Sequence, residues 1–113
     1  MNIEKFTWLA RGDQEFLSEL INRTVKDIKQ FNVGYTTHII NNDMTRLKSV
    51  VHEIKSLIER LEIKDLLELI EAGKSLLREQ EKDQTKIEEN AKAVDALTKK
   101  IVAQLDTLIE PNE

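Results

Sequence analysis

The chain has 113 residues, of which 40% are hydrophobic and 34% are charged, and its formal net charge at pH 7 is -4. It contains no cysteine, which excludes disulfides and zinc sites built on thiolates. There is no basic block, and no apolar run approaches the length of a membrane span, so we expect neither nucleic acid nor a membrane as partner. The length fits a single domain over residues 1–113, and the few glycines and prolines favour an all-α fold. Because the chain has no cysteine, the simplest expected compartment is the cytoplasm.

Apolar spacing in the N-terminal half predicts a short leader helix over about residues 2–10, followed by a long helix that runs to Asn41. Arg11-Gly12 separates the two helices, and Asp13 is placed to cap the second. The segment Asn32–Gly34 is compatible with either a kink or a break. The residues predicted to face the core from this half are Ile3, Phe6, Leu9, Phe16, Leu17, Leu20, Ile21, Val25, Ile28, Tyr35, Ile39 and Ile40, and Trp8 is also predicted to pack.

The turn signal Asn41-Asn42-Asp43 opens a third helix, whose apolar stripe ends at Leu61. Another apolar stripe begins at Leu66 without an intervening glycine or proline. At about 100° per residue, the two stripes point in directions that differ by roughly 140°. This difference in phase predicts a turn at residues 62–64. Asp65 and Glu68 then have the spacing of a capping box.

The C-terminal part begins with a polar loop over residues 78–84. Thr85 and Glu88 have the spacing of a second capping box, and the last helix is predicted to run to about Ile109. Pro111 prevents much continuation. Four amphipathic helices with short connections predict an antiparallel up-down four-helix bundle with a short N-terminal leader helix.

His52 lies about 160° from the centre of the apolar stripe of the third helix, so its imidazole is predicted to face solvent. Its neighbours on that surface are Lys48, Ser49, Lys55 and Ser56. The lysines favour an anion on the ring and disfavour protonation of the ring, while the serines leave space for a bulky partner. A neutral exposed imidazole is a competent nucleophile, which a phosphoryl acceptor requires. The alternative is an ordinary surface histidine.

Other chemistry has little support in the sequence. His38 is predicted to be a surface or half-buried residue, and two histidines without a carboxylate cluster make a poor metal site. There is no glycine-rich phosphate loop, so the chain should not bind a nucleotide itself. We therefore expect no metal and no cofactor on this chain.

Two segments resemble the histidine-containing phosphotransfer (HPt) domain family of two-component multistep phosphorelays. VHEIKS (residues 51–56) is similar to the family's active helix, and RGDQEFL (residues 11–17) is similar to its opening. The resemblance covers nearly the whole chain. Three positions depart from the family pattern, because Ser56 and Glu62 replace usual glycines and Val51 replaces a common alanine.

This resemblance implies that His52 accepts and donates a phosphoryl group and that Lys55 stabilises it. The implied partners are the receiver domain of a response regulator and a hybrid histidine kinase, with Mg²⁺ held by the receiver alone. The residues expected to contact the docked receiver are Lys48, Ser49, Ser56 and Glu59. The chain is then a monomeric phosphocarrier in signal transduction, with no ATP site and no enzymatic activity of its own.

Two other functions stay open. HEIK (residues 52–55) also resembles the H-box of a histidine-kinase dimerisation fragment, although Leu57 stands where that motif usually has proline. A non-catalytic helical adaptor or dimerisation module is the other alternative. The support for this alternative is a repeat of apolar residues every seven positions. An intramolecular bundle would have the same repeat. These residues are Ile87, Val94, Ile101 and Leu108.

Overall fold

A computed structural model describes residues 1–109, and the regular structure of this part of the chain is entirely helical. The five helices are α1 (Glu4–Ala10), α2 (Gln14–Ile40), α3 (Met44–Arg60), α4 (Lys64–Arg78) and α5 (Gln84–Asp106). The predicted all-α class is confirmed. None of the helices in residues 1–109 has the length and apolar character that crossing a bilayer requires. The predicted stop at Pro111 lies outside the described residues.

The four long helices enclose a common apolar core. Helix α2 packs against α3 and α5, and α4 packs against the same two helices, while α1 lies on α2. Two hydrogen bonds show that α2 and α5 run in opposite directions. Asn32 Nδ2 donates to Asp95 Oδ1 at 2.8 Å, and further along α2 the carbonyl of Ile40 accepts from Gln84 Nε2 at 3.1 Å.

Three of the long helices begin at an aspartate whose carboxylate accepts a hydrogen bond from the backbone N–H three residues later. These aspartates are Asp13, Asp43 and Asp83. The predicted cap at Asp13 and the turn before α3 are confirmed. Both predicted capping boxes are wrong. Asp83 caps α5 in place of Thr85, and α4 starts after the buried Ile63 without a side-chain cap.

Helix α2 is continuous through Asn32–Gly34, so no break divides it. Gly34 serves the packing of α3 instead. A Cβ atom at this position would lie 3.1 Å from Cγ2 of Val50, which is tighter than an ordinary van der Waals contact. The absence of a side chain therefore lets α3 approach α2 closely.

Several apolar residues that were predicted to face the core are exposed, and they lie at helix ends. These residues are Trp8 (69% exposed), Leu9 (43%), Phe16 (46%) and Ile40 (42%). Helix α1 has only seven residues and buries one side, through Phe6 and Ala10. Phe16 is in the first turn of α2, and Ile40 is its last residue. The prediction that these four residues face the core is therefore wrong, because apolar spacing does not show which positions near a helix end a neighbouring helix covers.

The predicted turn between α3 and α4 is confirmed, and it is built on Glu62. Its φ of 56° lies in the left-handed region, which costs an L-residue about 1–2 kcal/mol. The N-terminal segment supports this turn. The backbone N–H of Asn2 donates to the carbonyl of Leu61 at 2.7 Å, and the Asn2 side chain donates to the Glu62 carboxylate at 2.9 Å. Lys5 Nζ donates to the carbonyl of Arg60 at 2.8 Å.

A buried polar cluster joins α2, α4 and α5. The Tyr35 hydroxyl donates to Asn90 Oδ1 at 2.7 Å, and Asn90 Nδ2 donates to the carbonyl of Leu69 at 2.9 Å. Gly73 provides the space, because a Cβ atom there would collide with the Tyr35 hydroxyl and lie 2.8 Å from Asn90 Oδ1. Burial raises the pKa of the Tyr35 phenol, and the charge of Glu71 raises it further. The hydroxyl therefore stays protonated and keeps its role as donor.

We expect Gly73→Ala to lower the free energy of unfolding by about 1–3 kcal/mol, because the added methyl group collides with the Tyr35 hydroxyl. Tyr35→Phe alone should cost a similar amount, since Asn90 Oδ1 loses its donor. The double variant lacks the colliding oxygen, so it should be less destabilised than the sum of the two single variants. Urea unfolding of the four proteins measures this coupling, and strict additivity would contradict the collision.

Glu62→Gly is expected to raise the free energy of unfolding by about 0.5–1 kcal/mol, because glycine adopts a positive φ without steric cost. The variant loses the hydrogen bond with Asn2, which is exposed and contributes little. Glu62→Ala is the matched control, since it loses the same hydrogen bond but keeps a Cβ atom. Urea unfolding should show stabilisation in the glycine variant alone; equal effects in both would contradict the proposed backbone strain.

Candidate functional site

His52 occupies the middle of α3 and is exposed, as its position in the helical pattern predicts. The neighbouring residues Val51 and Ile54 are 3% and 4% exposed, respectively. The opposite face of the helix is thus held in the core, and the imidazole stands on a fixed support. Val51, directly before the histidine, packs inward.

The side chains one turn away from His52 are all exposed. At about 100° per residue, Lys48 and Lys55 lie on one side of the imidazole, and Ser49 and Ser56 lie on the other. The ion pairs of residues 1–109 are formed elsewhere, so both lysines keep their charge available to a ligand. The imidazole therefore stands between a row of cations and a row of small hydroxyl side chains.

The exposed face of α3 extends a further turn in each direction. Glu59 lies seven residues after His52, and Thr45 lies seven residues before it; both are exposed. The carboxylate of Glu59 limits the cationic part of this face to the turns around the histidine. Thr45 was missed in the sequence analysis, and its spacing of seven residues is the signal that would have found it.

A groove of about 220 Å³ lies between α2 and α3, next to this face. Its floor is apolar and includes Phe31, Ile54 and Leu57, while Asp27 and Glu53 bring carboxylates to its rim. Glu53 follows His52 directly in the chain, although His52 itself does not line the groove. Periodicity could not predict this groove, because two helices form it and the contact of Gly34 with α3 helps to set its width.

The second histidine, His38, lies near the C-terminal end of α2 and is half-buried, which agrees with the sequence. It is on a different helix from His52. Within residues 1–109, the structure contains no group of three or more histidine, aspartate or glutamate side chains placed to hold a metal ion.

No protein-family model, curated protein or solved structure matches the chain. A functional assignment therefore depends on the chemistry and geometry of the residues themselves. The strongest feature is a single exposed imidazole on a rigid helix, with unpaired cations one turn away.

Proposed function

We propose that this protein is an HPt-type phosphocarrier in a multistep phosphorelay. His52 accepts a phosphoryl group from the aspartyl phosphate of one receiver domain and donates it to the aspartate of another. The observation that carries the proposal is the position of His52, exposed at the centre of a helix whose other face is buried. A rigid support of this kind favours transfer, because positioning supplies much of the catalysis in such reactions.

In the accepting step, an unprotonated imidazole nitrogen of His52 attacks the phosphorus atom of the aspartyl phosphate. The N–P bond forms as the bond between phosphorus and the aspartate oxygen breaks, and the receiver carboxylate leaves as an anion. The ring releases its other N–H proton to solvent. The phosphoryl group then lies one turn from Lys55, whose charge stabilises it. Mg²⁺ belongs to the receiver, and this chain needs neither a metal nor an ATP site.

The proposed topology is an antiparallel up-down four-helix bundle formed by α2 to α5, with α1 as the leader helix. The closed ring of helix contacts and the opposite directions of α2 and α5 support it. The connections between successive long helices are also short, at residues 41–43, 61–63 and 79–83. Short connections favour antiparallel neighbours.

The face of α3 around His52 is the proposed docking surface for a receiver domain of a response regulator or of a hybrid histidine kinase. It offers Lys48, Ser49, Ser56 and Glu59 as contact residues, all exposed. Ser56 is small enough for a receiver to approach closely at the position where the family usually has glycine.

We place this phosphocarrier in the cytoplasm and propose that it works as a monomer.

The main alternative is a helical adaptor that pairs through the heptad repeat of α5. Ile87, Val94 and Ile101 are 0%, 0% and 2% exposed, respectively. These residues are therefore already used inside the bundle, which favours an intramolecular role. The third hypothesis, a histidine-kinase dimerisation fragment, has no comparable support from the geometry.

Incubation with a phosphorylated receiver is expected to add an acid-labile phosphoryl group to the wild-type protein, detected by intact mass. His52→Gln should abolish this gain, because it removes the nucleophile. Since His52 is exposed, the variant should keep its free energy of unfolding within about 0.5 kcal/mol. His38→Gln is the matched control and should still be phosphorylated. Phosphorylation that persists in His52→Gln would refute the proposed site.

Lys55→Ala is expected to slow phosphoryl transfer by about tenfold, equivalent to about 1.4 kcal/mol of activation free energy, because a cation is lost beside the transferred group. The exposed Lys26 on α2 provides the matched control, and Lys26→Ala should leave the rate unchanged. Rapid-quench measurement of phosphorylated receiver and carrier gives both rates. An unchanged rate in Lys55→Ala would exclude a kinetic role for this lysine.

A further inference from the structure

A second exposed surface lies along the outer seam between α2 and α5. It consists of two depressions of about 360 and 430 Å³, which we call together the α2–α5 groove. Val33 and Val102 line the first depression, and Ile40 lines the second. Asn32 lines the first and Asp95 the second, and the hydrogen bond between these residues joins the two depressions.

The apolar residues of the groove have the spacing of a helix-packing surface. Val33 and Ile40 are 67% and 42% exposed. They are seven residues apart, so they lie on one side of α2 at a distance of about 10.5 Å. Ile40 is the last residue of α2, but Val33 lies well inside this helix. Two apolar residues two turns apart match the anchor spacing of an α-helix lying in a groove.

Each rim of the groove carries a lysine, Lys29 on α2 and Lys92 on α5. The ion pairs of residues 1–109 involve neither of them. The Asp95 carboxylate is occupied, since it accepts hydrogen bonds from Asn32 at 2.8 Å and from Lys99 at 2.9 Å. Glu88 adds one carboxylate at the Ile40 end. The groove thus presents cations on both rims, although the net charge of the protein is -4.

We propose that the α2–α5 groove binds an amphipathic helix of a partner protein, with an apolar stripe that covers Val33 and Ile40. Carboxylates on both sides of this stripe would meet Lys29 and Lys92. A second copy of the chain fits less well, because pairing the groove with itself would bring like charges together. The proposal does not depend on phosphotransfer. Because His52 projects from α3, a helix in this groove leaves the histidine accessible.

The test uses the full chain and two synthetic peptides, each of about three heptads. Both have leucine at positions a and d; one has glutamate at positions e and g, and the other has lysine there. Fluorescence anisotropy of the labelled peptides gives the dissociation constants. We expect saturable binding of the glutamate peptide and at least about tenfold weaker binding of the lysine peptide.

Variants of the protein locate the binding. Val33→Asp should weaken binding of the glutamate peptide by at least about tenfold. Trp8→Asp should leave it unchanged, because Trp8 has a similar exposure of 69% and belongs to α1. The double variant Lys29→Glu/Lys92→Glu should prefer the lysine peptide. Urea unfolding first establishes that each variant is folded.

Four results would overturn the proposal. The first is that the glutamate peptide shows no saturable binding, and the second is that both peptides bind with equal affinity. The third is that Val33→Asp leaves the dissociation constant of the glutamate peptide unchanged. The fourth is that the wild-type protein is a dimer that Val33→Asp dissociates. Sedimentation velocity of the chain without peptide detects the last case, which would assign the groove to a second copy.

Discussion

Gly73 sets how closely α4 can lie against α2 and α5. The space above it is filled by Tyr35 and Asn90, whose hydrogen bonds to each other and to the Leu69 carbonyl connect the three helices. A buried polar group without a partner costs about 1–3 kcal/mol, so a change in the register of any of these helices is penalised. Apolar contacts alone tolerate sliding much better, and this cluster therefore selects one arrangement of the bundle.

The position of α2 that this cluster fixes also determines how the exposed face of α3 is oriented. Once Tyr35 fixes α2, the neighbouring residue Gly34 fixes how closely Val50 of α3 can approach. The buried residues of α3 then determine its rotation, and His52 is left on the outside. The accessibility of the imidazole thus follows from packing on the opposite face. A mobile loop would provide access but not this fixed orientation.

Periodicity in the sequence predicted those features that depend on a single helix. The exposure of His52 is one such feature. The turn at Glu62 was also predicted, because the apolar stripe of α3 ends there and the next stripe points in another direction, even without a glycine. Features that depend on two helices were missed. The sequence analysis made no prediction for Asn90, which is 7% exposed and has its amide satisfied by Tyr35 and Leu69 on two other helices. Phe16 was wrongly predicted to be buried: it is 46% exposed, whereas the next residue, Leu17, is 6% exposed.

The two grooves on either edge of α2 differ in charge, and this difference bears on how two partners can be told apart. The groove beside His52 carries Asp27 and Glu53, whereas the α2–α5 groove carries Lys29 and Lys92 on opposite rims. A partner helix with flanking carboxylates is attracted to the second groove and repelled by the first. Specificity between similar apolar surfaces requires such a repulsive element. The charge pattern of α2 therefore favours separate occupation of the two surfaces, with the face around His52 left to the proposed receiver domain.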